Sequence, residues 1–266
     1  MPRSPHIITC IKQVPGSTEV EIDDNGSLIR NAVAAKMNPF DLFAIETSLR
    51  LKEQNGATVT AITMGPPRAE LILREAFMMG VDEGVLLTDR RFAGSDVLAT
   101  AWTISQGILS LAPYDLVICG RQTTDGDTAQ VGAEMAEFLG IPHVTNVRAI
   151  LSSSDESITV EVDLPGAIQV ACLHFPCLIT VEKDIFQPRL PSFRRKLATR
   201  DKQVKVLCLD DLPDTDEKHY GLLGSPTKVQ RVYPPRRDVT KEIVHGDPQT
   251  LAERLFHELE GRKFLQ

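Results

Sequence analysis

The chain has 266 residues, of which 42% are hydrophobic, and a formal net charge of −7. This length suits one large domain, or one domain with a long extension, and the apolar fraction is sufficient for a buried core. The negative charge argues against non-specific nucleic-acid binding, which needs a basic surface. No apolar run approaches the roughly 20 residues of a membrane-spanning helix.

The N-terminal region and the cysteines favour a cytoplasmic protein. The first residues lead into a strand pattern without a secretory signal segment. Five cysteines are scattered along the chain without a C-x-x-C pair, which is typical of reduced thiols. Cys172, His174 and Cys177 are three candidate metal ligands, but the first two lie in an alternating strand pattern without a nearby fourth ligand. We therefore predict no metal site.

Strands and helices alternate through the first half of the chain. Asn38 and Ser95 stand at helix N-cap positions, and Gly56 and Gly80 end the first two helices. A small hairpin is predicted at 19–30. Apolar periodicity predicts strands at 6–14, 58–63, 84–88 and 115–119, and helices at 38–55, 68–79 and 95–111, with a fourth helix after the last strand.

This alternation with short connections predicts an α/β fold with a mainly parallel sheet and helices on both faces. Ligands of such sheets bind beyond the carboxyl ends of the strands. Three strand exits, at 10–12, 64–65 and 120–121, therefore point at one crevice. Lys12 and Arg121 are candidates to balance phosphate charge there, although lysine and arginine equally often stand on the surface as solvated cations.

A glycine-bearing loop from Gly120 to Gly132 joins the fourth strand to its helix. Asp127 and Gln130 stand three residues apart, which fits a helix N-cap with its reciprocal partner. The free N–H groups and partial positive charge of a helix start suit a phosphate or pyrophosphate. Asp125 and Thr128 are candidates to contact ribose or phosphate. On this motif alone, a solvated and capped loop is an equally good interpretation.

The pattern changes after residue 144. Alternating strands at 147–151, 158–162 and 167–173 predict an antiparallel extension of the same sheet, and a further strand is predicted at 176–181. Basic residues are then concentrated at 189–205, as in a solvated face or a surface that steers an acidic partner. Residues 210–247 show little periodicity, and a terminal helix is predicted at 248–261. A segment of this length without its own core is expected to pack on another surface, and the simplest candidate is a partner subunit.

Seven motifs, in order along nearly the whole chain, resemble the small (beta) subunit of electron transfer flavoproteins. They are Cys10-Ile11-Lys12-Gln13-Val14-Pro15, Met37-Asn38-Pro39-Phe40-Asp41, Thr63-Met64-Gly65-Pro66-Pro67, Leu87-Thr88-Asp89-Arg90, the loop Gly120 to Gly132, Pro176-Cys177-Leu178-Ile179-Thr180 and Gly224-Ser225-Pro226-Thr227. Agreement at this many collinear places is far more specific than a single glycine loop.

The resemblance implies a heterodimer with an alpha subunit that carries FAD. The beta subunit would hold a nucleotide in an adenine-nucleotide-binding, Rossmann-like domain and wrap the alpha subunit with a C-terminal arm. The implied organisation is a nucleotide-binding domain at 1–187, a partner-docking loop and linker at 188–209, and the arm and helix at 210–266. Leu197 would be the apolar anchor of the docking loop for an acyl-CoA dehydrogenase, in the region least similar to the family.

The resemblance leaves two versions of the beta nucleotide. In members that only shuttle electrons it is a structural AMP. In bifurcating and nitrogen-fixation-associated members it is a second FAD, which takes hydride from NADH and sends one electron to ferredoxin or flavodoxin and one to the alpha flavin, onward to an acyl-CoA dehydrogenase or quinone-linked partner. Residues 125–132 resemble the FAD-type loop, in which small residues at Gly126 and Ala129 admit a pyrophosphate. Ala133 departs from the proline of many bifurcating members.

By position, the resemblance implies a set of nucleotide contacts and no catalytic acid, base or nucleophile. The chain would then act as an NADH-dependent flavin oxidoreductase only within its complex, because the flavin carries the chemistry. The implied contacts are Cys10, Lys12, Asn38, Pro39, Phe40, Asp41, Met64, Gly120, Arg121, Gln122, Thr123, Thr124, Asp125, Gly126, Asp127, Thr128, Ala129, Gln130 and Val131.

Two other classes of function compete with this interpretation. A phosphotransferase or phosphatase would use Asp125 and Asp127 with Mg²⁺, but the haloacid-dehalogenase pattern needs D-x-D-x-T directly at a strand end. Here Ala129 occupies the last place and the acids come late. A nucleotide sensor or pure interaction module would not explain the long C-terminal arm.

Overall fold

The computed structural model describes residues 4–16, 35–230 and 241–265. The chain divides into two compact units, residues 1–230 and 231–266. The hairpin predicted at 19–30 lies outside the described residues. The domain boundaries predicted after residues 187 and 209 stay predictions.

The described residues form strands and helices in the predicted alternation. The strands are β1 (His6–Cys10), β2 (Gln13–Pro15), β3 (Ala35–Met37), β4 (Thr58–Met64), β5 (Glu83–Leu87), β6 (Leu116–Gly120), β7 (His143–Ser153), β8 (Ser157–Leu164), β9 (Ala167–His174), β10 (Cys177–Val181) and β11 (Lys205–Leu207). The helices are α1 (Pro39–Asn55), α2 (Glu70–Met79), α3 (Val97–Leu109), α4 (Val131–Leu139), α5 (Phe193–Ala198), α6 (Gly221–Gly224) and α7 (Pro248–Gly261).

One nine-stranded sheet has the order β11-β5-β4-β1-β6-β10-β7-β8-β9. The strands from β11 to β7 are parallel, and β8 and β9 add an antiparallel extension. This confirms the predicted α/β architecture. The chain runs from β1 outward through β4 and β5, then returns to the other side of β1 with β6. Such a reversal opens a crevice at the carboxyl ends of β1 and β6.

Each face of the sheet buries its own apolar cluster, because successive strand side chains point to opposite faces. Ile7 packs in the cluster that contains Ile45 of α1 and Leu73 of α2. The next residue, Ile8, packs in the cluster that contains Ile108 of α3 and Met135 of α4. Helices therefore cover both faces, as predicted.

The strand predicted at 6–14 is two separate strands. β1 ends at Cys10, and Gln13–Pro15 leaves the large sheet to pair antiparallel with β3. The backbone N–H of Lys12 donates to Asp41 Oδ2 at 2.7 Å, and its carbonyl accepts from the N–H of Asn38 at 2.8 Å. These bonds turn the chain towards the start of α1, so Lys12 lies in the connection that follows the carboxyl end of β1.

The predicted cap at Ser95 is wrong by one residue. Asp96 caps α3, since its Oδ1 accepts from the N–H of Ala99 at 3.1 Å. The Ser95 hydroxyl instead donates to the carbonyl of Phe92 at 2.8 Å. By contrast, Gly56 ends α1 in the left-handed conformation with φ of 66°, as predicted.

The basic segment at 189–205 begins with an ion pair to α1. Arg189 Nε donates to Glu46 Oε2 at 2.8 Å, and its Nη1 donates to Glu53 Oε1 at 2.6 Å. The Glu46 side chain is only 3% exposed. Burial raises the pKa of Glu46, but the hydrogen bonds from Arg189 more than offset this, so the pKa ends below its ordinary value. Arg189 therefore attaches the basic segment to α1. Leu197, on α5 in the same segment, is 62% exposed.

Replacing Arg189 by alanine is expected to reduce the free energy of unfolding by about 2 kcal/mol, because the buried Glu46 carboxylate loses its bonds from Arg189 and keeps the pair with Arg50 Nε at 3.0 Å. Urea unfolding of the purified chain measures this. The matched control is Arg148→Ala, which removes a more exposed pair to Glu161 at 3.9 Å and is expected to cost less than about 1 kcal/mol. Equal losses in the two variants would show that burial of Glu46 does not decide the effect.

The second unit contains α7, which confirms the predicted terminal helix. Asp247 caps it, with Oδ1 accepting from the N–H groups of Gln249 and Thr250 at 3.1 Å each. Leu255 and Phe256 stand exposed on this helix. None of the helices in the described ranges is both long and apolar enough to cross a bilayer.

Candidate functional site

A cavity of about 390 Å³ opens at the carboxyl ends of β1, β4 and β6, beside the starts of α3 and α4. This volume is in the range of small-molecule sites. Most of the predicted contact residues line it: Cys10, Lys12, Asp41, Met64, Gly120, Arg121, Gln122, Thr123, Gly126, Thr128, Ala129, Gln130 and Val131. The three predicted strand exits thus meet at one place.

Six predicted residues do not line this cavity, namely Asn38, Pro39, Phe40, Thr124, Asp125 and Asp127. Asn38 is fully buried and contacts residues of the cavity wall without lining the cavity itself. Its Nδ2 donates to Asp41 Oδ1 and to the carbonyl of Gln122, both at 2.9 Å. Its Oδ1 accepts from the N–H of Thr124 at 3.3 Å. Asn38 precedes α1 as predicted, but its side chain holds the glycine loop and does not cap the helix.

Asp41 forms a buried acid in the cavity wall. Burial raises its pKa to about 7, although the hydrogen bonds from Asn38 and the Lys12 backbone oppose the shift. Gly120 lies directly against it. A Cβ atom at this glycine would come within 2.6 Å of Asp41 Oδ1 and 2.7 Å of the Phe40 carbonyl carbon. The first turn of α1 therefore packs on the end of β6 through a contact that only glycine permits.

Both predicted phosphate cations are already in ion pairs. Lys12 Nζ contacts Asp125 Oδ1 at 2.8 Å, and Arg121 Nη1 contacts Glu182 Oε1 at 2.8 Å. Burial raises the pKa of Asp125, but the hydrogen bond and charge of Lys12 more than offset it, so this pKa ends lowered. The Lys12 pair joins the end of β1 to the glycine loop. An anionic ligand would have to compete with these carboxylates for the cations.

The predicted capping box of Asp127 and Gln130 is wrong. Helix α4 begins at Val131, four residues after Asp127, and Gln130 at its N-cap makes no side-chain capping bond among the described residues. Asp127 is left-handed with φ of 53°. Its N–H donates to the carbonyl of Thr123 at 3.1 Å, and its Oδ1 accepts from Gln122 Nε2 at 2.6 Å. The loop thus closes on itself and leaves the first N–H groups of α4 at the cavity.

The start of α3 lines a part of the cavity to which the sequence assigned no individual contact residues. Ser95, Asp96, Val97, Thr100 and Ile104 line one wall. Ser95 and Asp96 end the stretch 88–96, which also resembles the family, whereas Val97, Thr100 and Ile104 were not predicted as contacts. The available signal was Asp96 ahead of an apolar stripe, which is a helix N-cap pattern. Helix starts that follow neighbouring parallel strands meet at the same edge of a sheet.

Comparison with known proteins identifies the family. Residues 25–212 match the profile described as the electron transfer flavoprotein domain. The chain belongs to the electron transfer flavoprotein family. It is 44% identical over 259 residues to the electron transfer flavoprotein subunit beta of Thermoanaerobacterium thermosaccharolyticum, covering 97% of this chain and 98% of that protein. The predicted membership as a beta subunit is confirmed.

Two further relatives of this electron transfer flavoprotein beta subunit carry different names. Protein FixA of Azorhizobium caulinodans is 41% identical over 267 residues, covering 97% of this chain and 95% of the relative. The acryloyl-CoA reductase electron transfer subunit gamma of Anaerotignum propionicum is 40% identical over 260 residues, covering 95% of this chain and 97% of the relative.

The cavity of this electron transfer flavoprotein subunit combines a helix start with apolar wall. Gly132 lets α4 approach β10, since a Cβ there would lie 2.6 Å from Thr180 Cγ2. This close approach brings the positive end of α4 to the cavity, where anions bind favourably. Met64 and Ile104 supply apolar wall for a ring system. Among the described residues, His, Cys, Asp and Glu form no group of three placed to hold a metal ion.

Proposed function

We propose that the chain pairs with an alpha subunit and binds FAD in the cavity at the ends of β1 and β6. Bound there, the FAD supplies hydride acceptance from NADH and one-electron transfer to two acceptors. One electron would go to ferredoxin or flavodoxin, and the other to the FAD of the alpha subunit and onward to an acyl-CoA dehydrogenase or quinone-linked partner.

The observation that carries this proposal is the loop between Gly120 and Val131 at the mouth of the cavity. Gly126 is loosely surrounded, since the nearest atom to a Cβ built there would be Thr123 Oγ1, in ordinary contact at 3.5 Å. Ala129 is small and left-handed, with φ of 53°. These two positions let the backbone approach a bulky diphosphate. In the proposed complex, the N–H groups at the start of α4 bind the diphosphate, and the hydroxyls of Thr123 and Thr128 orient it.

The proposed redox partner is supported by one relative and by one surface. The relative from Anaerotignum propionicum is named as an electron transfer subunit of acryloyl-CoA reductase. On this chain, Leu197 is exposed on α5, and Arg189 fixes the start of that segment to α1. We assign Leu197 as the apolar anchor for an acyl-CoA dehydrogenase, and the exposed Leu255 and Phe256 of α7 as contacts of the alpha subunit in the cytoplasm.

The purified heterodimer is expected to carry about two FAD, one in each subunit, because the beta cavity would hold a flavin of its own. Acid release followed by chromatography counts the nucleotides, and NADH should bleach the bound flavin. The control is Leu197→Ala, which should keep both nucleotides. One FAD and one AMP per heterodimer, without bleaching by NADH, would replace this proposal with the electron shuttle that holds structural AMP.

A further inference from the structure

Asp96 joins the start of α3 to the segment 225–227 at the cavity wall. Its Oδ1 caps α3 through the N–H of Ala99 at 3.1 Å. Its Oδ2 accepts from both the N–H and the hydroxyl of Thr227, at 2.9 and 2.8 Å. Its own backbone N–H donates to Ser225 Oγ at 2.8 Å. Both carboxylate oxygens are therefore engaged by donors of the chain.

The segment that supplies Thr227 is packed tightly against the loop before α3. A Cβ atom at Gly221 would lie 2.0 Å from the carbonyl oxygen of Arg91, and one at Gly94 would lie 2.6 Å from Leu222 Cγ. Ser225 is 6% exposed, and its hydroxyl also contacts the carbonyl of Gly221 at 2.6 Å. Thr227 thus reaches Asp96 from a segment with little room to shift.

A second acid stands close to Asp96, in the first turn of α4. Glu134 Oε2 is buried without a hydrogen-bond partner among the described residues. Burial, followed by the charge of Asp96, raises the pKa of Glu134. For Asp96 itself, burial raises the pKa, but the hydrogen bonds from Thr227 and Ala99 more than offset it, and the pKa is lowered. Negative charge beside α4 would oppose an anion at that helix start unless donors hold it in place.

We propose that Thr227 is a positioning residue for the nucleotide site. Its hydroxyl holds the Asp96 carboxylate against α3, so that a nucleotide phosphate meets the N–H groups of α4 instead of a free carboxylate. This inference rests on the proposed function, because it requires a phosphate-bearing nucleotide in the cavity. It applies equally to FAD and to AMP, since both carry phosphate next to adenosine.

The test is nucleotide retention in the alpha–beta complex with Thr227→Val, which removes the hydroxyl but keeps the backbone bond to Asp96. FAD and AMP that remain bound after timed gel filtration are quantified. The variant is expected to release nucleotide about tenfold faster, the loss of roughly one hydrogen bond to a charged group. Thr227→Ser should restore retention to within about twofold of the wild type, because it returns the donor.

The matched control is Thr250→Val. Thr250 makes the same kind of contact with Asp247 Oδ2 at the start of α7, and neither residue lines the cavity. This variant should retain nucleotide like the wild type. If Thr227→Val does not assemble, Thr227→Ala and Thr227→Ser provide the same comparison.

The outcomes separate this inference from the proposed function. Wild-type retention in Thr227→Val would overturn the positioning role and leave the proposed function intact. Release from Thr227→Ser as fast as from Thr227→Val would also overturn it, because packing and not the hydroxyl would then matter. A wild-type complex without any nucleotide in its beta subunit would overturn both.

Discussion

Replacing Gly120 by alanine is expected to destabilise the chain by about 3 kcal/mol and to weaken nucleotide binding at least about tenfold. The added methyl group would overlap Asp41 Oδ1 and the carbonyl carbon and oxygen of Phe40, at 2.6 to 2.8 Å. Two of these atoms are backbone in the first turn of α1, so relief requires a shift of that helix away from the end of β6. Such a shift also moves Asn38, which holds the loop residues Gln122 and Thr124.

Urea unfolding measures the stability of the Gly120→Ala chain, and nucleotide released by acid from the alpha–beta complex measures occupancy. Gly126→Ala is the matched control for stability, because a Cβ there would make only an ordinary van der Waals contact, with Thr123 Oγ1 at 3.5 Å. It should change the free energy of unfolding by less than about 1 kcal/mol. If Gly120→Ala is as stable as the wild type, α1 can shift away from β6 without loss of stability. The conclusion that only glycine fits at this contact would then be wrong.

The stability of the chain is expected to fall as pH rises from about 5 to 8, owing to Asp41. Burial raises its pKa from 3.8 to about 7. Between these values the folded chain holds a proton that the unfolded chain has released, so raising the pH favours unfolding. The stabilisation from Asp41 is fully present below its pKa in the unfolded chain and is lost as pH rises through its pKa in the folded chain. Between about pH 5 and pH 8, the loss amounts to about 2 to 3 kcal/mol.

Urea unfolding at several pH values, compared between the wild type and Asp41→Asn, isolates this contribution. The asparagine variant should lack that part of the pH dependence, whatever its absolute stability. Asp125→Asn is the control of opposite sign, because the lowered pKa of Asp125 adds stability at neutral pH that is lost only in acid. Parallel profiles for the wild type and Asp41→Asn across this range would refute a buried acid that titrates near neutrality.

The predicted helix starts show where local patterns stop being sufficient. Asn38 and Asp127 both have the side chain and spacing of an N-cap, yet neither caps a helix with its side chain in the structure. Asn38 instead bonds Gln122 and Thr124, which are more than 80 positions away. Asp127 closes a turn on Thr123, and α4 starts at Val131. A side chain at an N-cap position can bond either the helix start or groups that are distant in sequence. The spacing of residues along the chain does not reveal those distant groups.

Local patterns along the chain were sufficient to predict the alternation of strands and helices, the strands after residue 144, the terminal helix at 248–261 and the family. These follow from apolar periodicity, turn residues and collinear motifs, which are local along the chain. Folding, by contrast, pairs Lys12 with Asp125, buries Asp41 against Gly120, and brings the start of α3 and Thr227 to the cavity region. Those features depend on contacts between residues far apart in sequence, and the burial that shifts a pKa exists only once the chain has folded.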